Sequence, residues 1–181
     1  RTEHMFYGKG SDKPLFFLRK MILSTTLEER QKAINELYPF VKKDIKDTLL
    51  AMKGLPVTFR LLDPPLHEFV PQAADKQKEL ADALGIDVAA IQKRAEGLHA
   101  SNPMMGHRGV RLGVTYPEVS EMQIKAIFES AAEIIKSGTK CKPEVMIPVT
   151  CDVNELKHQK KIVSKVAEDI KKQFKFKKFE Y

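Results

Sequence analysis

The sequence predicts an α/β fold built on a parallel sheet. Two observations lead there. A short apolar strand, a polar or arginine-bearing loop and a long amphipathic helix recur along the chain, which is the grammar of parallel strand–helix units. The strands are also few for a closed barrel. Eight such units take about 250 residues, whereas this chain has 181. An open α/β layer and half of a barrel both satisfy this count.

The elements follow in order. Residues 1–13 read as irregular, broken by Gly8, Gly10, Ser11 and Asp12. PLFFLRKMIL (14–23) is apolar enough for a buried helix, with Pro14 in its first turn. Thr26 and Glu29 have the spacing of a capping box. They open a long helix to about Met52, whose stripe is Ile34, Leu37, Val41, Ile45, Leu49 and Met52. Pro39 is a candidate kink, and Gly54 ends the helix.

A strand over Val57–Leu62 comes next, cut off by Pro64-Pro65. Residues 66–100 read as an insertion of short helices, one closed by Gly85 and one capped by Asp87. Residues 101–113 are turn-rich and carry His107, Arg108 and Arg111. Thr115 and Glu118 suggest a second capping box, opening an amphipathic helix to Gly138. Its stripe is Val119, Met122, Ile127, Ala131, Ile134 and Ile135. EVMIPV (144–149) reads as a strand buried on both faces. Asp152 and Glu155 cap the last helix.

Composition excludes several classes. Hydrophobic residues make up 43% and charged residues 30%, enough for a core and against wholesale disorder. No apolar run approaches the roughly 20 residues of a membrane span, so no membrane partner is expected. Cys141 and Cys151 lie outside any CxxC motif and read as reduced intracellular thiols. The net charge of +7 is concentrated in the last quarter. Glu155, Glu168 and Asp169 interrupt those lysines, which favours a solvated helix face over a nucleic-acid surface. The chain opens on Arg1 without a methionine, and we expect a piece of something longer.

Ligands of parallel α/β folds sit at the carboxyl ends of the strands. Arg60 falls there, three residues before Asp63, and the loop with Arg108 and Arg111 can reach the same edge. Guanidinium groups make paired hydrogen bonds to carboxylate and phosphate, so converging arginines suit a small polyanion. The competing reading of Arg60 and Asp63 is a plain strand-end ion pair. His67 and His107 are lone loop histidines, and no metal cluster, phosphate-binding glycine loop or nucleophile elbow is visible.

RTEHMF (1–6), LPVTFRLLDPPLHEFVP (55–71), NPMMGHRGVRLGVTYPEVSEMQIKAI (102–127) and PEVMIP (143–148) together resemble the phosphoenolpyruvate-utilising enzyme family, in its pyruvate, phosphate dikinase branch. The resemblance spans essentially the whole chain in order. The run RLLDPPLHEF separates that branch from phosphoenolpyruvate synthase and enzyme I of the sugar phosphotransferase system, the alternative relatives.

The resemblance implies the first half of a (β/α)8 barrel of TIM type, with residues 66–100 inserted after the Val57–Leu62 strand. It implies substrate-binding roles for Arg1, Arg60 and Arg108, with pyruvate or phosphoenolpyruvate as ligand. For Asp63 we expect an orienting role toward the arginines. It further implies an ATP-grasp domain, a swivelling phosphohistidine domain, Mg2+ and a cytoplasmic homodimer. The metal-ligand strands of MIEIPR and GTNDLTQ type, the CGEHGG-type cysteine motif and the swivelling histidine motif do not occur in these residues. The 181-residue chain is therefore expected to be inactive alone, with His67 and His107 not phosphocarriers. Open sheet edges lead us to expect dimers or loose packing of the isolated piece.

Overall fold

The structure, a computed structural model, describes residues 2–7, 10–98, 102 and 106–181. It is mixed α/β and mostly helical. Strands β1 (Pro56–Arg60) and β2 (Lys142–Met146) form a two-stranded parallel sheet. Thr58 lies opposite Glu144, and Arg60 opposite Met146.

Helix α1 (Asp12–Leu23) leads into α2 (Leu27–Ala51). The capping box forms as read: Glu29 N–H donates to Thr26 Oγ1 at 3.2 Å, and the Glu29 carboxylate accepts from the Thr26 amide at 3.3 Å. Ala33, Leu37 and Ile45 are fully buried on its inner stripe, and the helix runs through Pro39. Met52 leaves that stripe and is half exposed, because the helix ends at Ala51 and Gly54 turns the chain with φ +87.

Helix α3 (Ala74–Leu84) ends on left-handed Gly85, and α4 (Val88–Leu98) starts with the Ala89 amide on Asp87 Oδ1. A further short helix, α5 (Val110–Thr115), occupies what the sequence suggests is a turn. Helix α6 (Pro117–Lys136) is the spine. Ile124, Ile127, Phe128 and Ala131 are fully buried, since α2 packs on one side of it and α7 (Val153–Phe174) on another. A helix with so wide an apolar face needs such cover. Burial pushes the Glu133 carboxyl up, but hydrogen bonds from Lys42 and Lys46, both 2.7 Å, outweigh it and leave the group below its ordinary value. They tie α2 to α6.

Besides Met52, α5 and a 3-10 turn over Thr2–Phe6, where the sequence reads as irregular, the structure departs from the sequence reading at three places. The second capping box does not form. Pro117 takes the first helical position after Tyr116, and Thr115 Oγ1 donates back to the Arg111 carbonyl at 3.0 Å. Glu118 instead accepts from Arg30 at 2.5 Å. Second, β1 stops at Arg60, not Leu62, because the Leu62 amide leaves the sheet for Gln123 Oε1 at 2.9 Å. Third, β2 spans Lys142–Met146 and not 144–149, and it is not buried on both faces. Pro143 is buried, but Lys142, Glu144 and Met146 are exposed on the face that also carries Pro56 and Thr58 of β1.

Candidate functional site

Both strands point their carboxyl ends to the same edge, and the chain leaves each one under tight constraint. After β1, the Leu61 amide still bonds the Met146 carbonyl at 3.0 Å. Leu61, Leu62 and Asp63 are then all buried. The Asp63 carbonyl accepts from the Gly109 amide at 3.3 Å, and Val110 N–H donates to the Pro148 carbonyl at 2.9 Å. The loop bearing Arg108 is thus stitched to the exits of both strands.

That stitching needs glycine. Gly109 has φ +56 and ψ −130, and a β-carbon there would meet the Pro148 carbonyl oxygen at 2.8 Å. Side-chain-bearing residues avoid this backbone region. On the facing loop, Val149 has φ +57, an unusual conformation for a β-branched residue.

Asp63, 2% exposed, gathers two arginines. Arg108 makes a two-point contact, Nε to Oδ1 at 3.2 Å and Nη2 to Oδ2 at 2.8 Å. Arg60 Nη1 lies 3.2 Å from Oδ2 of the same carboxylate. On its other side, Arg60 Nη2 donates to Glu3 Oε1, from a short 3-10 turn over Thr2–Phe6. The hydrogen bond to Asp63 holds the Arg108 guanidinium above its already high ordinary value, so it stays charged. Arg60 Nε is buried and has no hydrogen-bond partner among the described residues.

The structure therefore brings Arg60, Asp63 and Arg108 together. Arg1 lies outside the described residues. Arg111 takes another direction, its Nη1 donating to the Gly106 carbonyl at 3.0 Å and its Nη2 lying 4.0 Å from Cys151 Sγ. His107 packs against Tyr116, ring centroids 5.7 Å apart, and burial there depresses its pKa. Cys141 and Cys151 are free thiols. The sequence reading assigned no role to Glu3, Thr2 or Gln123. Thr2 Oγ1 donates to the Arg60 carbonyl at 2.9 Å, and Gln123 Nε2 donates to Thr2 Oγ1 at 3.1 Å. Gln123 lies on the helix stripe midway between Val119 and Ile127, and that position was the available signal.

The cluster can hold an anion. Two permanent cations are oriented by two carboxylates, and guanidinium keeps its charge when partly desolvated. It does not suit a metal ion. Among the described residues no three His, Cys, Asp or Glu side chains come together, and the Asp63 and Glu3 carboxylates face guanidinium groups. No chemical step is routed through a metal on these residues.

Residues 1–180 match the family model described as "PEP-utilising enzyme, PEP-binding domain". Among curated proteins, the chain is 48% identical to the pyruvate, phosphate dikinase of Clostridium symbiosum over 174 residues, 96% of this chain and 20% of that protein. It is 46% identical to the Giardia intestinalis protein of the same name, over 96% of this chain and 19% of that one. It is 44% identical to pyruvate, phosphate dikinase 1, chloroplastic, of Oryza sativa subsp. japonica, over 94% of this chain and 18% of that protein. The chain spans about one fifth of the length of these relatives. Half-buried arginines on a shared buried carboxylate, at the carboxyl edge of a parallel strand pair, thus sit in a chain that belongs to the PEP-utilising enzymes, in their PEP-binding domain family.

Proposed function

We propose that the chain is the arginine-bearing part of the phosphoenolpyruvate and pyruvate site of a pyruvate, phosphate dikinase. The observation that carries this reading is the pair of guanidinium groups on the single buried carboxylate Asp63. The names of the relatives support it. In the full reaction, ATP, phosphate and pyruvate are converted to AMP, diphosphate and phosphoenolpyruvate. A histidine on another domain carries the phosphoryl group between the two half-reactions.

In this reading Arg60 and Arg108, with Arg1, bind the ligand's carboxylate and phosphoryl oxygens. Asp63 orients the arginines. As the phosphoryl group passes between the phosphohistidine and the enolate oxygen of pyruvate, negative charge spreads over its equatorial oxygens. Fixed guanidinium groups stabilise that charge without reorganising. Magnesium, the swivelling histidine domain and the ATP-grasp domain belong to other parts of the enzyme.

The same reading makes residues 1–181 the first half of a (β/α)8 barrel with residues 66–100 as a helical insertion. The parallel register and the exposed sheet face support it. In this reading the full-length enzyme is a cytoplasmic homodimer. Among the described residues no helix is long and apolar enough to cross a membrane. Some relatives carry the word chloroplastic in their names, so fractionation of the source cells tests the compartment.

The central test is phosphoenolpyruvate binding by calorimetry on the intact protein. Arg60→Met and Arg108→Met are each expected to weaken binding by about a hundredfold, the scale of losing a charge-assisted, two-point contact. Wild-type affinity in both variants overturns the reading. The 181-residue chain alone is expected to form no phosphoenolpyruvate in a coupled assay, and measurable turnover overturns that part.

A further inference from the structure

We propose that Gln123, which makes none of the hydrogen bonds to the arginine cluster, is a positioning residue for Arg60. This rests on the functional reading just given. Gln123 is 3% exposed, on α6, and its side chain is a two-ended bracket. Its carbonyl oxygen accepts the Leu62 amide at 2.9 Å. Its amide nitrogen donates to Thr2 Oγ1 at 3.1 Å, and that hydroxyl donates to the Arg60 carbonyl at 2.9 Å.

The order of donors fixes the geometry. A hydroxyl has one proton, and here Arg60 receives it, so only a donor can satisfy Thr2 from the other side. A glutamine amide supplies that donor while its oxygen takes the Leu62 amide. The bracket therefore holds the backbone on both sides of Leu61, which is where the chain turns from the sheet toward Asp63. It also fastens the 3-10 turn beside the strand end, and that turn presents Glu3 to Arg60. Two separate chain segments thereby keep a fixed offset, and the Arg60 guanidinium is held between Glu3 and Asp63. Removing the bracket lets the offset relax without removing any group that touches ligand. Small displacements of this kind carry large penalties in binding and rate.

The bracket is tested by Thr2→Val, Thr2→Ser and Gln123→Glu in the intact protein, with phosphoenolpyruvate as the probe. Thr2→Val keeps the shape and deletes the hydroxyl. Gln123→Glu keeps the acceptor for Leu62 and deletes the donor. Both are expected to weaken binding about tenfold, whereas Thr2→Ser restores wild-type affinity. In an Arg60→Met background neither Thr2→Val nor Gln123→Glu weakens binding further, because the guanidinium they position is gone.

Wild-type affinity in both Thr2→Val and Gln123→Glu overturns the inference. So does an undiminished loss in the Arg60→Met background, which marks a general structural role. If Arg60→Met itself binds phosphoenolpyruvate normally, the functional reading fails and the bracket positions nothing. Circular dichroism on each variant identifies unfolding. Should Gln123→Glu unfold, the Thr2→Val and Thr2→Ser pair decides the matter.

Discussion

Arg108 grips Asp63 at two points while Arg60 approaches the same carboxylate from its own strand, so a single buried acid sets the relative orientation of two cations. Side-chain exposure is 3% for Asp63 but 25% for Arg60 and 20% for Arg108, so the acid is fixed and the cations face outward.

Asp63→Ala removes the carboxylate and leaves two half-buried guanidinium groups facing each other. Breaking a buried pair from one side costs about 3 kcal/mol. We expect a loss of that size in urea unfolding, together with weaker phosphoenolpyruvate binding. A change below about 1 kcal/mol contradicts the orienting role.

Gly109→Ala places a methyl group 2.8 Å from the Pro148 carbonyl oxygen in a backbone conformation that alanine resists. Strain of this kind costs about 1–3 kcal/mol. The loop must move to relieve it, and Arg108 moves with the loop. Lower stability and lower anion affinity should therefore appear together.

Val149→Gly tests the facing loop. The left-handed backbone is easy for glycine and costs other residues about 1–2 kcal/mol. Relief of strain should offset the loss of a half-buried side chain. Stability within about 1 kcal/mol of wild type is expected. Loss well beyond that shows the valine to be held there by packing.

His107 gives the protein a pH dependence. Burial holds its pKa below the ordinary 6.5; the ring's hydrogen bond to the Arg111 backbone opposes this and the charge of Arg94 adds to it. The unfolded chain thus takes up a proton at higher pH than the native one. The stabilising contribution is complete above 6.5 and declines as pH falls through the depressed folded value. His107→Gln should flatten this part of the stability curve. Glu133 acts in the same direction in a lower window, beginning below its ordinary 4.5. Urea midpoints measured from about pH 8 to about pH 2 separate the two.

Local features were legible in the sequence. Thr26 and Glu29 act within three residues of each other, as do Asp152 and Glu155, and both boxes form. Arg60 and Asp63 sit three apart and pair as their spacing suggests. What failed depended on distant partners. Glu118 was drawn to Arg30, 88 residues away, and Leu62 to Gln123, 61 residues away. The β2 burial pattern misled because apolar residues signal a wish for cover, and one sheet face has none among the described residues. The motif RLLDPP pointed to the arginine site. It held no sign of the bracket from α6.

The pairing of β1 with β2 has a kinetic consequence. Thr58 and Glu144, joined across the sheet at 2.5 Å, are 86 residues apart. Closing so long a loop is entropically unfavourable until helices on both sides are in place. Helices α1 and α2 are neighbours in sequence and meet early; the edge that gathers Arg60, Asp63 and Arg108 is expected to assemble last. Pulsed hydrogen exchange during refolding reads this order directly. Amide protection at Leu61 and Gly109 should lag behind that of Leu37 and Ile45, and simultaneous protection would refute it. A nascent chain would then acquire its helical body well before it could hold an anion.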